Sequence, residues 1–289
     1  MDLSQKDWQA VVREAASRAV GEDVGPVDLT SRVAVPIEAR AVATLVAREP
    51  GVVAGMEVAE AVFREVDGSL KWKSLVKDGD RVVAGCVVAE VRGSARSILS
   101  GERSALNFLQ RLSGVATRTA DFVRAVQGTK AKILDTRKTT PGLRALERKA
   151  VLAGGGVNHR SGLYDAILMK ENHQVFLPQE KMGEVIQKCR QEFPEFPLVV
   201  EADSVDLAIQ LLRQPIDRVL LDNMSPQQVA MVIQKRAEMG SGVGLEASGG
   251  VTLERARALA ETGVEWISVG SLTHSARALD MSLDIQKAP

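Results

Sequence analysis

Only two cysteines, Cys86 and Cys189, occur in 289 residues. They lie far apart without ligand-like spacing, which excludes a zinc cluster and reads as two small core thiols in a reducing cytoplasm. An excess of charge of one sign is also missing: 37 Lys plus Arg balance 37 Asp plus Glu, and the pI is near 6.9. A neutral chain argues against a general nucleic-acid or anionic-membrane surface. The three tryptophans are too scattered for a stacking platform. No Gly-x-Gly-x-x-Gly follows a first strand, since "LAGGGV" comes after a helical segment instead. The opening "MDLSQKDWQAVVREAASRAV" is charged throughout and has no long apolar run. It reads as an amphipathic helix over about 4–20 at a domain edge, rather than as a signal peptide or membrane span.

What is present is an ordinary soluble composition, 45% hydrophobic and 26% charged. The length suits one barrel-sized domain with a smaller one, or two middling domains. The first part mixes that helix with the alternating run "ARAVATLVAR" and the Gly-punctuated "VKDGDRVVAGCVVAEVRGSARSIL". Asp78-Gly79 and Ala84-Gly85 mark turns between short strands, so this part reads as α+β. From "SGERSALNFLQRLSGVATRTADFVRAV" the apolar period becomes that of a long helix.

A regular beat of strand then helix follows. The strand-like runs are "AKILDT", "GGVNH", "AILMK", "PLVVEA", "RVLLD", "VGLEAS" and "WISVG". Helical patterns separate most of them, and Ser225-Pro226 and Thr252-Leu253-Glu254 are start signals. Such alternation implies parallel pairing with right-handed crossovers, and about seven units favour a closed or nearly closed barrel.

In such a barrel the site lies at the carboxyl ends of the strands. Taken in order, those ends carry Thr136-Arg137-Lys138, His159-Arg160, Lys170, Glu201, Asp222, Ser248-Gly249-Gly250 and Gly270-Ser271. Residues 131–173 hold eight positive and four negative side chains within a neutral chain. Arg137, Lys138, Arg160 and Lys170 converging on one mouth need an anion, and a planar dicarboxylate suits Arg forks and Lys point charges. The two Gly-rich turns suit a phosphomonoester. Glu201 and Asp222 suit ribose hydroxyls or a Mg²⁺ that carries diphosphate. Together these describe phosphoribosyl transfer to an acidic ring. Taken singly, each element also has a plain reading: solvated loop cations, structural pairing of Glu201 or Asp222 with Lys138 or Lys170, simple turns, and a His159 that only supports its neighbours. The order across seven strand ends favours the site.

The stretch "DTRKTTPGLRALERKAVLAGGGVNHRSGLYDAILMKENH" closely resembles the central signature of the quinolinate phosphoribosyltransferase family. "EDVGPVDLTS", "GERSALNFLQRLSGVAT", "VVEADS", "LLDNMSP", "EASGGV" and "SVGSLTHS" resemble the same family in the same order. The resemblance implies an N-terminal α/β sandwich domain (1–113), an open seven-stranded α/β, TIM-like barrel (114–275), and a C-terminal helix (276–289) returning toward the N-terminal domain. It implies a decarboxylating enzyme of NAD biosynthesis that makes nicotinate mononucleotide, diphosphate and CO₂ from quinolinate and phosphoribosyl diphosphate. By the same resemblance, Arg137, His159, Arg160 and Lys170 bind the carboxylates, and Arg103 reaches in from the other subunit of a homodimer, with a higher oligomer left open. Lys138, Glu201 and Asp222 surround the ribose and its Mg²⁺, with Glu201 and Asp222 as metal-site residues and no organic cofactor. Ser248, Gly249, Gly250, Gly270 and Ser271 hold the 5-phosphate, and Thr136 belongs to the same substrate-binding set. One departure is Val27, where the family commonly has Gly before Asp-Leu-Thr-Ser; a change confined to a local turn is expected. The alternatives are a molybdenum-transport-operon pyrophosphorylase relative, a nicotinate phosphoribosyltransferase, and a catalytically silent phosphosugar-binding barrel. Tight binding without turnover marks the last of these.

Overall fold

The computed structural model describes residues 4–288. In chain order its first elements are α1 (Gln5–Asp23), α2 (Leu29–Ala34), β1 (Arg40–Ala47), β2 (Gly51–Val52), α3 (Met56–Val66), β3 (Lys71–Ser74), β4 (Arg81–Val82), β5 (Val87–Ser94) and α4 (Ala95–Ala125). Then come β6 (Lys132–Leu134), α5 (Arg144–Ala153), β7 (Ile167–Met169), α6 (Glu171–Gln174), α7 (Met182–Glu192) and β8 (Leu198–Ala202). The last are α8 (Val205–Leu211), β9 (Arg218–Asp222), α9 (Pro226–Glu238), β10 (Gly244–Ser248), α10 (Leu253–Glu261), β11 (Trp266–Ser268) and β12 (Met281–Lys287). The chain divides into two compact units. One holds residues 4–120, 139–155 and 275–288, and the other holds Asp121–Lys138 and Gly156–His274. The expected boundary at 113/114 falls inside α4, which runs unbroken across it.

The first unit is built on a four-stranded sheet of order β12-β1-β5-β3 with antiparallel pairs. Sheet residues such as Leu45, Val88 and Val91 share one core with Ala16 of α1, Phe63 of α3 and Ile98, Leu106 and Leu109 of α4. Asp28 caps α2: its carboxylate accepts the Ser31 N–H at 2.9 Å and the Ser100 hydroxyl at 2.9 Å. Val27, just before it, needs no positive φ, because Asn223 is the one non-glycine residue with that conformation among those described. The turns at Asp78-Gly79 and Ala84-Gly85 form as expected, with φ of 95° at Gly79 and 84° at Gly85.

The C-terminal stretch corrects the sequence reading. A helix is expected there, yet Met281–Lys287 is a strand paired antiparallel with β1, Met281 opposite Ala47 and Lys287 opposite Ala41. The local pattern explains it: Met281, Leu283 and Ile285 alternate with Ser282, Asp284 and Gln286, which is a period of two.

The second unit contains a parallel sheet of six strands in the order β6-β11-β10-β9-β8-β7. The seventh position, expected at "GGVNH", is held by one parallel bridge between Leu134 and Val157. Val157 N–H donates to Ile133 and its carbonyl accepts from Asp135; three preceding glycines offer no side chains to extend a ladder. β8 is buried at every position, as a strand covered on both faces should be. Both signalled helix starts form. Ser225 makes a capping box at α9 with Pro226 in its first turn, and Thr252 accepts the Arg255 N–H at 3.2 Å. Because all six strands are parallel, their carboxyl ends lie at one end of the sheet. The two cysteines are free and half-buried, so neither is fully in the core.

Candidate active site

At the end of β6, the Thr136 hydroxyl oxygen accepts the Lys138 N–H at 3.1 Å, tightening the turn that carries Arg137 and Lys138. The Lys138 carbonyl accepts the hydroxyl of fully buried Thr273 at 2.7 Å. The Lys138 stem also runs close to Gly270, where a β-carbon would lie 3.1 Å from Lys138 Cδ. Asp135, fully buried, accepts the His159 N–H at 2.6 Å and so ties the turn after β6 to the segment carrying His159 and Arg160.

Arg160 donates from Nη1 to the Ala166 carbonyl at 3.1 Å. Burial pushes its guanidinium pKa down, and the positive charge of Arg137 pushes it the same way, with Asp165 opposing. The Arg137 charge therefore reaches the Arg160 guanidinium. The structure thus brings together Arg137 and Arg160 in charge and Lys138 and Gly270 in contact.

At the end of β7, Lys170 Nζ lies 2.5 Å from Glu201 Oε2. Glu201 is buried and its other oxygen accepts the Glu171 N–H at 3.1 Å, where α6 begins. The plain reading of a Lys170–Glu201 pair is thus realised, and it leaves Lys170 facing the strand ends with its side chain 46% exposed. Asp222 closes β9 directly opposite Ser248 in the β9–β10 register. Its carboxylate accepts the Asn223 side-chain amide at 2.7 Å, and Asn223 donates its own N–H to the Ser248 carbonyl at 2.9 Å.

The Gly-rich turns are shaped for close approach. Gly249 has φ of 92°, and a β-carbon there would stand 2.1 Å from Asn223 Oδ1. Gly250 follows with φ of 53°. Beyond β11, Gly270–Leu272 forms a single tight turn in which the buried Ser271 hydroxyl has no hydrogen-bond partner. A buried hydroxyl in that state can donate to a ligand oxygen, such as one of a phosphate. The buried Nε of Arg255 is in the same state, while its Nη2 donates to the Met224 carbonyl at 3.1 Å.

Deeper in this unit, fully buried Glu246 accepts Arg218 Nη1 at 2.6 Å, faces His159 Nε2 at 3.2 Å, and accepts the Ser268 hydroxyl. Burial alone would raise its pKa. The hydrogen bond from His159 and its charge, then the Arg218 charge and the Ser268 hydroxyl, outweigh that and hold it at about 2. Sequence reasoning missed Glu246, Asn223, Arg255 and Arg218. A glutamate inside the apolar run "VGLEAS" was the available signal. Arg103 is exposed on α4 in the other compact unit, so the barrel unit of a single chain does not itself supply it.

No group of three or more His, Cys, Asp or Glu among the described residues could hold a metal alone. Mg²⁺ commonly takes one or two carboxylates and completes its shell with water and substrate phosphates. Asp222 and Glu201 are the residues of that kind at the strand ends.

Two family models match the chain: the quinolinate phosphoribosyl transferase N-terminal domain over residues 28–113 and the C-terminal domain over residues 115–284. The nicotinate-nucleotide pyrophosphorylase (carboxylating) of Mycobacterium leprae is 43% identical over 286 residues, covering 98% of this chain and all of that protein. Quinolinate phosphoribosyltransferase (decarboxylating) 1b of Nicotiana tabacum is 39% identical, covering 96% of this chain and 82% of its own length. The nicotinate-nucleotide pyrophosphorylase structure from Francisella tularensis superposes with a TM-score of 0.89 at 35% identity, covering 96% of each chain. These matches span both compact units and every strand end described above, and the chain belongs to the quinolinate phosphoribosyl transferase family.

Proposed function

We propose that the chain transfers phosphoribose from phosphoribosyl diphosphate to quinolinate and decarboxylates the product, a step of NAD biosynthesis. The observation that carries this reading is the placement of Arg137 just beyond β6, half-buried Arg160 in the segment before β7, and Lys170 at the end of β7, with the Arg137 charge reaching Arg160. Family membership and relatives named for this reaction support it over the molybdenum-operon and silent-barrel alternatives.

The ring nitrogen attacks the anomeric carbon as diphosphate leaves, through an oxocarbenium-like state. Asp222 and Glu201 face the ribose and stabilise its positive charge, and Lys138 offsets charge on the departing diphosphate. Positioning contributes much of the rate, since effective molarity is worth roughly 7–11 kcal/mol. The Ser271 hydroxyl and the Gly249-Gly250 turn take the 5-phosphate. Arg137, Arg160 and Lys170 bind the two carboxylates. The C2–carboxylate bond then breaks and CO₂ leaves, its electron pair stays on C2 as a carbanion stabilised by the adjacent cationic nitrogen, and that pair takes a proton from solvent. Asp222 and Glu201 would hold Mg²⁺, which would supply charge neutralisation for the leaving group.

The working form is a homodimer in which Arg103 of one subunit reaches the barrel site of the other. Its support is the exposure of Arg103 together with exposed apolar side chains: Leu29, Val33 and Ile37 in one unit, and Leu163, Tyr164 and Phe176 in the other. The cytoplasm is the compartment expected; no helix among the described residues is long and apolar enough to cross a membrane.

The test is to mix the protein with quinolinate, phosphoribosyl diphosphate and Mg²⁺ and follow nicotinate mononucleotide, with nicotinate as a parallel substrate. Product from quinolinate alone is expected. Product from nicotinate, or none from either, overturns the reading.

A further inference from the structure

Asn223, the residue after Asp222, is the one non-glycine held at positive φ (55°) among the described residues. Left-handed backbone is unfavourable for a residue with a β-carbon, although asparagine tolerates it better than most. Such a conformation persists only where its surroundings over-determine it. Here the surroundings are the ends of two neighbouring strands. Asn223 donates its backbone N–H to the Ser248 carbonyl at 2.9 Å and its side-chain amide to Asp222 Oδ2 at 2.7 Å. A carboxylate accepts, so the amide must turn its Nδ2 side to Asp222. The other end of the amide, Oδ1, lies against Gly249, where a β-carbon would stand 2.1 Å away. One amide thus touches both the carboxylate that closes β9 and the first glycine of the turn after β10.

The next residue carries a second tie. The Met224 carbonyl accepts Arg255 Nη2 at 3.1 Å, and Arg255 Nη1 lies 3.6 Å from where a β-carbon on Gly250 would stand. Arg255 sits in the first turn of α10, where the helix dipole disfavours a cation. Its contact with Met224 accounts for a cation in that position, because it holds the loop after β9 to the turn after β10. Asp222 also lies directly opposite Ser248 in the strand register.

We propose that Asn223 is a positioning residue for the transfer reaction: it aims the Asp222 carboxylate at the ribose and, with Arg255, sets the distance between that carboxylate and the 5-phosphate turn. The proposal rests on the functional reading above. Phosphoribosyl diphosphate carries its 5-phosphate and its reacting anomeric carbon at opposite ends of one small ring. A turn that grips the first end must therefore stand in register with the carboxylate that serves the second. Asn223 takes up one carboxylate oxygen and leaves the other for a ribose hydroxyl.

Three variants test this. Asn223→Gly accepts the left-handed backbone and removes the amide, Asn223→Ala removes the amide and strains the backbone, and Asn223→Asp keeps the shape but sets charge against Asp222. In each, kcat/KM for phosphoribosyl diphosphate should fall about tenfold or more while KM for quinolinate stays within about twofold. The urea midpoint should stay near wild type in Asn223→Gly and drop in Asn223→Ala. Equal catalytic defects at unequal stability mark positioning, since a merely structural residue would lose activity in step with stability. Undiminished use of phosphoribosyl diphosphate by folded Asn223→Gly, or equal losses for both substrates, overturns the proposal. A second measurement needs no turnover. In a proton–nitrogen NMR spectrum of the full-length protein, the Asn223 side-chain amide is identified by its loss in Asn223→Asp. One of its protons should exchange slowly with water, and Asp222→Ala should abolish that protection. Fast exchange in the wild type, or protection unchanged in Asp222→Ala, overturns the proposal as well. A wild type inactive toward quinolinate would remove the functional reading, and the amide spectrum would still decide whether Asn223 holds Asp222.

Discussion

Lys170 Nζ lies 2.5 Å from Glu201 Oε2, and the two residues are unequally exposed: the lysine side chain is 46% exposed and the glutamate 6%. The pair therefore joins a buried carboxylate to a cation that still faces the strand ends. Removing the lysine strands a buried charge, whereas removing the glutamate charge frees a lysine that water can solvate. Lys170→Met should cost about 1–3 kcal/mol, discounted from the fully buried case because the lysine is half exposed. Glu201→Gln should cost less, and the double variant should recover part of the Lys170→Met loss. Urea midpoints of the four proteins measure this coupling, and strict additivity would refute it. None of the three variants should turn over quinolinate normally.

Gly249 is the second test. Its φ of 92° and the 2.1 Å approach to Asn223 Oδ1 leave no room for a side chain. Gly249→Ala should push Asn223 away, loosen its hydrogen bond to Asp222, and cost about 1–3 kcal/mol. The functional loss should fall on phosphoribosyl diphosphate. Calorimetric titration with each substrate separately checks this, and a weakened quinolinate affinity with phosphoribosyl diphosphate unchanged would reverse the assignment.

Glu147 offers a prediction independent of the site. It is fully buried on α5 and accepts Arg111 at 2.7 and 3.0 Å, the Thr140 hydroxyl at 2.8 Å and the Thr140 N–H at 3.0 Å. Glu147→Ala would remove the carboxylate partner of a partly exposed Arg111 guanidinium and leave two Thr140 donors unsatisfied, at about 2–4 kcal/mol, discounted from the fully buried case. Thermal or urea unfolding reads this directly, and a loss under about 1 kcal/mol would mean that water replaces the carboxylate.

Acid stability should carry the mark of Glu246. Its pKa falls from an ordinary 4.5 to about 2 on folding. A lowered carboxylate stabilises the fold fully above pH 4.5, and that contribution fades as pH falls toward 2. The wild type should therefore lose stability more steeply across this window than a variant carrying Glu246→Gln with Arg218→Met. Parallel curves of urea midpoint against pH would show that the titration belongs to other groups.

What the chain disclosed in advance depended on whether the deciding interaction was local. Caps at Ser225 and Thr252, the period-two run of β1 and the strand-end residues from Thr136 to Ser271 are all set within a few positions, and they stood in the sequence. Met281–Lys287 also alternates, but too briefly and too late in the chain to outweigh the expectation of a terminal helix; the free edge of β1 settles it. "GGVNH" reads as a strand, yet its partner Leu134 ends β6 and only one bridge forms. Glu246 was hidden for another reason. Its meaning lies in Arg218, Ser268 and His159, residues brought to it by three different parts of the chain.

Arg103 supplies the last prediction. It is exposed on α4, outside the barrel unit that holds Arg137, Arg160 and Lys170. In the proposed dimer, each site takes its barrel residues from one subunit and Arg103 from the other. Arg103→Ala and Lys138→Ala homodimers should each be nearly inactive. In a mixed dimer, however, one site joins the barrel of the Arg103→Ala chain, with Lys138 intact, to the Arg103 of the Lys138→Ala chain. The second site carries both lesions. Mixing and subunit exchange should thus restore up to about half of the wild-type activity per mixed dimer, because one of two sites regains every charge that acts on the transition state. Activity that stays at the homodimer level after exchange, with mixed dimers verified by tags, would place Arg103 outside the shared site.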